Sequence, residues 1–168
     1  MSSKKKNLSE FNSFSHSLSS DTRFGIIVAE WNPEITDSLC KGAVDTLLDQ
    51  GFKETSIITY KVPGSFELPL GAQYLLENAE VDAVICLGCV IQGETRHFEF
   101  ICQAVSQQIS RLNLDYNMPV IFGLLTTDNF DQAKARAGGI NGNKGVEAAI
   151  AAIKMLQLRD SVFAAQES

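Results

Sequence analysis

The side chains of this chain that could do chemistry gather in a few short segments. In Gly93-Glu94-Thr95-Arg96-His97, a glycine turn runs into a predicted helix start. His97 is one of only two histidines, and an imidazole exchanges protons near neutral pH. Thr95 can cap the helix. Arg96 and His97 place positive charge where the helix macrodipole is already positive. A bound anion would reverse that conflict, because helix N-termini bind phosphates. Two solvated side chains would also tolerate it, at about 0.3–1 kcal/mol. Trp31, the single tryptophan, could stack on a planar heterocycle or fill a core or interface. Glu67 lies between Phe66 and Leu68. It could accept hydrogen bonds from a polyol or stand in solvent. Arg136 and Lys144 flank a glycine-rich segment, 138–145. Arginine suits bidentate phosphate binding and lysine a point contact, although ordinary surface charge would account for both.

These residues must be positioned by alternating strands and helices. Phe24–Ala29 is a continuous apolar run, the pattern of a strand covered on both faces. Trp31-Asn32-Pro33 ends it, with Asn32 suited to N-cap a helix and Pro33 to begin it. Ile35, Leu39, Ala43 and Leu47 then recur at helical spacing up to Gly51. Ser56–Val62 is a second strand, broken by Pro63-Gly64. Ser65-Phe66-Glu67 leads into a helix near Pro69–Asn78. Ala83–Val90 is a third strand. The helix after Thr95 is expected to bury Ile101, Ala104, Val105 and Leu112, with His97 one turn before Ile101 at the sheet rim. Pro119–Leu125 is a fourth strand. A short helix follows to about Ala137, and a last one spans about Gly145–Leu158.

Such alternation implies an α/β fold: a four-stranded parallel sheet with helices on both faces, a flavodoxin-like three-layer sandwich. In open parallel sheets ligands bind beyond the carboxyl ends of the strands. Trp31, Glu67, His97 and Thr126-Thr127-Asp128-Asn129 all fall there. The two sheet edges call for cover from the N-terminal arm or another subunit.

The chain has 168 residues, 45% of them hydrophobic, enough for one well-buried domain. We expect a flexible arm over 1–20, a single domain over 21–160 and a C-terminal tail over 161–168. The net charge of −6 argues against nucleic acid and against an anionic membrane. No apolar run approaches the ~20 residues that span a bilayer, and the serine-rich start lacks the apolar core of a secretory signal. A cytoplasmic location follows. Cys86 and Cys89 are three apart on a strand, so their sulfurs should diverge to opposite faces. That spacing argues against a metal or redox pair, and no second Cys/His pair completes a zinc set. No glycine pattern typical of dinucleotide or triphosphate binding is present.

Taken together the segments resemble the lumazine synthase family, over about Phe24–Leu158. The matching blocks are Trp31-Asn32; Val62-Pro63-Gly64-Ser65-Phe66-Glu67-Leu68-Pro69; Leu87 to Ile91 continuing to Gly93-Glu94-Thr95-Arg96-His97-Phe98-Glu99; Phe122-Gly123-Leu124-Leu125-Thr126-Thr127; and Arg136-Ala137-Gly138 with Gly142-Asn143-Lys144-Gly145-Val146-Glu147. The resemblance implies condensation of 5-amino-6-(D-ribitylamino)uracil with 3,4-dihydroxy-2-butanone 4-phosphate. The products are 6,7-dimethyl-8-ribityllumazine, phosphate and water, and neither cofactor nor metal takes part.

It further implies roles for single residues. Trp31 stacks on the pyrimidine with Asn32 beside it. Ser65 and Phe66 offer backbone contacts, and Glu67 holds ribityl hydroxyls. Val90 and Ile91 line the pyrimidine site, Phe122 closes it and Lys144 assists. Glu94, Thr95 and Arg136 bind the substrate phosphate, and His97 transfers protons. Phe122, Arg136 and Lys144 come from a neighbouring subunit, so the site is shared within a homo-oligomer, a pentamer. The short 138–145 segment favours an icosahedral shell of pentamers, and riboflavin synthase is a further partner. Many relatives carry Phe at the position of Trp31, Arg at Gln92 and a small residue at Arg96. A lumazine- or flavin-binding protein, a structural shell protein and an FMN module are the rival readings. The presence of Thr95, His97 and Arg136 opposes the first two, and the absence of a phosphate loop after the first strand opposes the third.

Overall fold

The computed structural model of the chain describes Asn7, Ser9 and residues 15–165. Much of the arm expected over 1–20 therefore lies outside the described residues, as does the end of the expected tail. The elements run β1 (Phe24–Ala29), α1 (Pro33–Asp49), β2 (Ile57–Val62), α2 (Leu68–Asn78), β3 (Ala83–Ile91), α3 (His97–Tyr116), β4 (Val120–Thr127), α4 (Phe130–Ala135), β5 (Ala137–Gly139), β6 (Gly142–Asn143) and α5 (Lys144–Ala164). Strands β1 to β4 form one sheet in the order β2-β1-β3-β4, and each neighbouring pair is parallel. This is the flavodoxin-like α/β arrangement expected from the alternation.

Two cores sandwich the sheet. On one face Phe24, Ile26, Val28, Ile85, Leu87 and Cys89 meet Ile35, Leu39, Ala43 and Leu47 of α1 and Ala149, Ile153 and Leu156 of α5. On the other, Ile27, Ala29, Val84 and Cys86 meet Leu68, Ala72 and Leu75 of α2 and Val105, Ile109 and Leu112 of α3. The period-two alternation of β1 and β3 thus divides their side chains between two helical layers. Cys86 and Cys89 fall in different cores and are free thiols, as their strand spacing requires.

Several boundaries differ from expectation. The helix α4 ends at Ala135 rather than near Ala137, because the next residues enter a small antiparallel hairpin, β5–β6. The last helix runs to Ala164, so the first residues of the expected tail are helical; Leu158 to Ala164 contains no glycine or proline to stop it. Asn32 sits at the N-cap position of α1, but its side chain does not cap. Ile101 and Ala104 are only partly buried, because they line an open cleft. Among the described residues no helix is long and apolar enough to cross a membrane.

Helix α5 crosses α1 at very close range. A Cβ on Gly145 would be driven into the carbonyl oxygen of Leu39. Backbone cannot yield as a flexible side chain can, so Gly145→Ala should destabilise the fold by about 3 kcal/mol. Chemical denaturation would read this as a lowered midpoint with an unchanged slope.

Candidate functional site

A cleft of about 910 Å³ opens at the carboxyl ends of β1, β2 and β3. It lies where the strand order reverses, between β1 and β3, the general ligand position of such sheets. Trp31 and Asn32 follow β1, Gly64 to Glu67 follow β2, and Cys89, Val90 and Ile91 end β3. His97, Phe100, Ile101 and Ala104 of α3 form the opposite wall.

The backbone that carries Trp31 is held by its neighbour. Asn32 adopts a left-handed conformation, φ 59° and ψ 56°, which asparagine tolerates better than most residues. Its carbonyl accepts from the N–H groups of Ile35 (2.9 Å) and Thr36 (3.0 Å), starting α1. Its side-chain Nδ2 donates to the carbonyl of Cys89 at 3.1 Å, bridging the ends of β1 and β3. The left-handed turn therefore takes the amide away from capping and spends it across the crevice. Trp31 is left 72% exposed at the mouth, and Phe66 and Phe100 are exposed beside it. Three exposed aromatics at one opening are apolar surface still lacking a partner.

Glu67 ends a single 3₁₀ turn, Ser65–Glu67, closed by its N–H donating to Gly64 O at 3.2 Å. A Cβ on Gly64 would lie 3.1 Å from Glu67 Oε2 and 3.6 Å from Trp31 Cδ1. The indole contact would be ordinary, and the carboxylate end of Glu67 would have to give by a few tenths of an ångström. Ser65 is buried and its Oγ has no hydrogen-bond partner. It presses on the bare Cα of Gly88, where a Cβ would come within 2.7 Å of it.

His97 is the first residue of α3 and is exposed. Its N–H donates to Thr95 Oγ1 at 3.4 Å, a long bond that stands in for a cap. Glu94 and Thr95 lie in the exposed loop before α3 and do not line the cleft. Arg96 pairs with Glu99 at 3.2 Å, with its side chain 81% exposed. The charge that conflicted with the helix dipole is thus answered one turn along by an exposed carboxylate, a pair of modest worth.

Phe122, Arg136 and Lys144 do not line the cleft of their own chain. Phe122 is partly exposed on the edge strand β4, beside Cys86. Arg136 follows α4, and Lys144 opens α5 across the β5–β6 hairpin. Glu147, to which no role was assigned from sequence, joins the two. Glu147 places Oε1 2.8 Å from Arg136 Nη1 and Oε2 3.3 Å from Lys144 Nζ, with its side chain only 16% exposed. Arg136 Nη1 donates to the carbonyl of Asn141 at 2.6 Å, so its contact with Glu147 is ionic rather than an aligned hydrogen bond. The i, i+3 spacing of Lys144 and Glu147 was the signal available in the sequence. Two cations around one carboxylate leave a net positive charge free to meet an anion.

Among the described residues no three His, Cys, Asp or Glu side chains form a set that could hold a metal. Burial pushes the Cys86 thiol up to about 12 and that of Cys89 up to about 11, from 9.0. Neither is a ready nucleophile at neutral pH.

Fold and site define an α/β protein with one aromatic-rimmed ligand cleft at a topological switch point and a separate cationic cluster. The 6,7-dimethyl-8-ribityllumazine synthase family matches residues 21–160. Proteins of that name are similar throughout: one from Cytophaga hutchinsonii is 62% identical, covering 93% of this chain and 98% of its own. Those from Porphyromonas gingivalis and Flavobacterium johnsoniae are 54% and 51% identical, over 90% and 95% of this chain and 94% and 84% of their own. The chain belongs to the 6,7-dimethyl-8-ribityllumazine synthase family, transferases of riboflavin biosynthesis.

Two outcomes follow from the site. Asn32→Gly loses the bridge to Cys89 but keeps the left-handed turn, whereas Asn32→Ala loses both. The alanine variant should be less stable than the glycine variant by about 1 kcal/mol in denaturant titrations. The thiols of Cys86 and Cys89 stay protonated in the fold above pH 9 but ionise once the chain unfolds. Their contribution is complete below pH 9 and is lost as pH rises towards about 11–12. Cys86→Ala, compared with the parent over pH 8–11, should show a flatter fall in stability.

Proposed function

We propose that this enzyme condenses 5-amino-6-(D-ribitylamino)uracil with 3,4-dihydroxy-2-butanone 4-phosphate in a site assembled from two copies of the chain. One copy supplies the aromatic cleft, and the neighbour supplies the cationic hairpin. The observation that carries this reading is the separation just described: Trp31, Glu67 and His97 share one cleft, while Arg136 and Lys144 cluster outside it.

Trp31 stacks on the pyrimidine, and Val90 and Ile91 lie along it. The carboxylate of Glu67, in the same cleft, accepts hydrogen bonds from the ribityl hydroxyls. Ser65 and Phe66 add backbone contacts, and Asn32 fixes the ring that stacks. Glu94 and Thr95 meet the phosphate with backbone N–H groups at the start of α3, where the dipole favours an anion. The neighbour's Arg136 binds that phosphate, and its Phe122 and Lys144 close the site. Imine formation, loss of phosphate and ring closure each move a proton, and His97 at the cleft wall carries them. The remaining requirement is to hold two reactants in line, which a pre-formed cleft supplies. Residues 21–160 act as one catalytic domain.

The assembly is a pentamer, and the short β5–β6 connection supports further closure into an icosahedral shell, with riboflavin synthase as a protein partner. The buried reduced thiols fit a cytoplasmic setting.

Mixing purified protein with both substrates should yield lumazine fluorescence and inorganic phosphate in equal amounts; no turnover above the uncatalysed background would refute the reading. Arg136→Ala should raise KM for the four-carbon phosphate by about tenfold or more, the worth of a charge-assisted hydrogen bond. An unchanged KM would remove Arg136 from the phosphate site. Light scattering should find particles much larger than a pentamer.

A further inference from the structure

We propose that Asn7 and Ser9 latch the cationic hairpin and that Ser9 is a positioning residue for Arg136 and Lys144. The consequence for catalysis rests on the phosphate role given to those two residues above; the latch itself rests on contacts.

Ser9 Oγ donates to the carbonyl of Asn143 at 3.1 Å and accepts from the N–H of the same residue. One hydroxyl thus satisfies both main-chain groups of Asn143, as a neighbouring strand would. The Ser9 N–H donates to Asn7 Oδ1 at 3.0 Å, which holds the two residues together at the hairpin. Gly142, which its backbone conformation already requires to be glycine, leaves the room for this seat. Its φ is +87°, and any Cβ there would run into Ser9 and Asn7.

Asn143 is the point at which the hairpin meets α5. Its Oδ1 accepts from the N–H of Gly145 at 2.8 Å, and its Nδ2 donates to Ser38 O of α1 at 3.0 Å. The next residue, Lys144, donates its N–H to the carbonyl of Arg136 at 2.9 Å. A shift of the Asn143 peptide therefore passes directly to the backbones of both cations. The hairpin cannot resist such a shift alone, for its strands are two and three residues long and their pairing is irregular.

Ser9→Ala removes the hydroxyl from outside the hydrophobic cores. It should raise KM for the four-carbon phosphate about three- to tenfold and leave KM for the pyrimidine within about twofold of the parent. Ser9→Thr, which keeps a hydroxyl, should stay close to the parent. Amide exchange at Asn143 should quicken in Ser9→Ala. An unchanged Asn143 exchange rate would overturn the latch. An equal rise in both KM values would overturn the positioning role, since it marks general loosening. With Arg136→Ala assayed alongside, an impaired Arg136→Ala beside an unaffected Ser9→Ala overturns the positioning role alone. An Arg136→Ala without effect overturns the phosphate reading and, with it, the catalytic consequence of the latch.

Discussion

The site depends on one topological constraint, the reversal of strand order at β1. From β1 the chain crosses to β2 on one side, then returns over β1 to reach β3 on the other. Parallel crossovers keep a single hand, so a change of direction forces a change of face. Accordingly α1 packs on one face of the sheet, and α2 and α3 pack on the other. The connections leaving β1 and β3 part at their carboxyl ends, and among the described residues a cleft stays open between them. The amide of Asn32 bridges its floor to Cys89 O, which fixes the separation of the strand ends.

The same constraint governs where the charges lie. The aromatic and carboxylate groups sit at strand ends around the crevice. Arg136 and Lys144 depend instead on the hairpin between α4 and α5, which is tied to α1 by two bonds. Ser38 Oγ donates to Ala137 O at 2.6 Å, and Asn143 Nδ2 donates to Ser38 O. The hairpin is tethered to α1 at Ser38 and the cleft at Asn32, yet the two do not meet within one chain. In the proposed two-copy site neither half needs to refold, so assembly would order little further chain.

Much of the fold was legible in the sequence because burial on both faces leaves little freedom. FGIIVA and AVICLG could only be interior strands, and the four-residue recurrence from Ile35 to Leu47 matches the buried stripe of α1. The divergence of Cys86 and Cys89 followed from strand geometry alone. Strand ends pointed to Trp31, Glu67 and His97, which do line the cleft, but also to Thr126-Thr127-Asp128-Asn129, which do not, because β4 runs on to Thr127 and its end lies away from the β1–β3 crevice. Other features depend on contacts distant in sequence. Asn32 looked like a cap, but a left-handed backbone turns its amide to a strand 57 residues away. Arg96 stood as a cation at the wrong end of a helix with no role assigned, and the partner that answers it is Glu99. Glu147 was hidden within an apparently ordinary helix start, since nothing local tells that its carboxylate is buried between two cations. The hairpin β5–β6 read as a turn because strands this short carry no period.

The shared site is tested most directly by complementation between two impaired variants. His97→Ala keeps the hairpin intact, and Arg136→Ala keeps the cleft intact. Each is purified, then the two are unfolded, mixed in equal amounts and refolded together. If every site takes its cleft from one copy and its hairpin from the next, about a quarter of sites in a randomly mixed ring recover both wild-type halves. The mixture should then turn over at about a quarter of the parent rate, well above either variant alone. A mixture no more active than the average of its two components would contradict a site built from two chains.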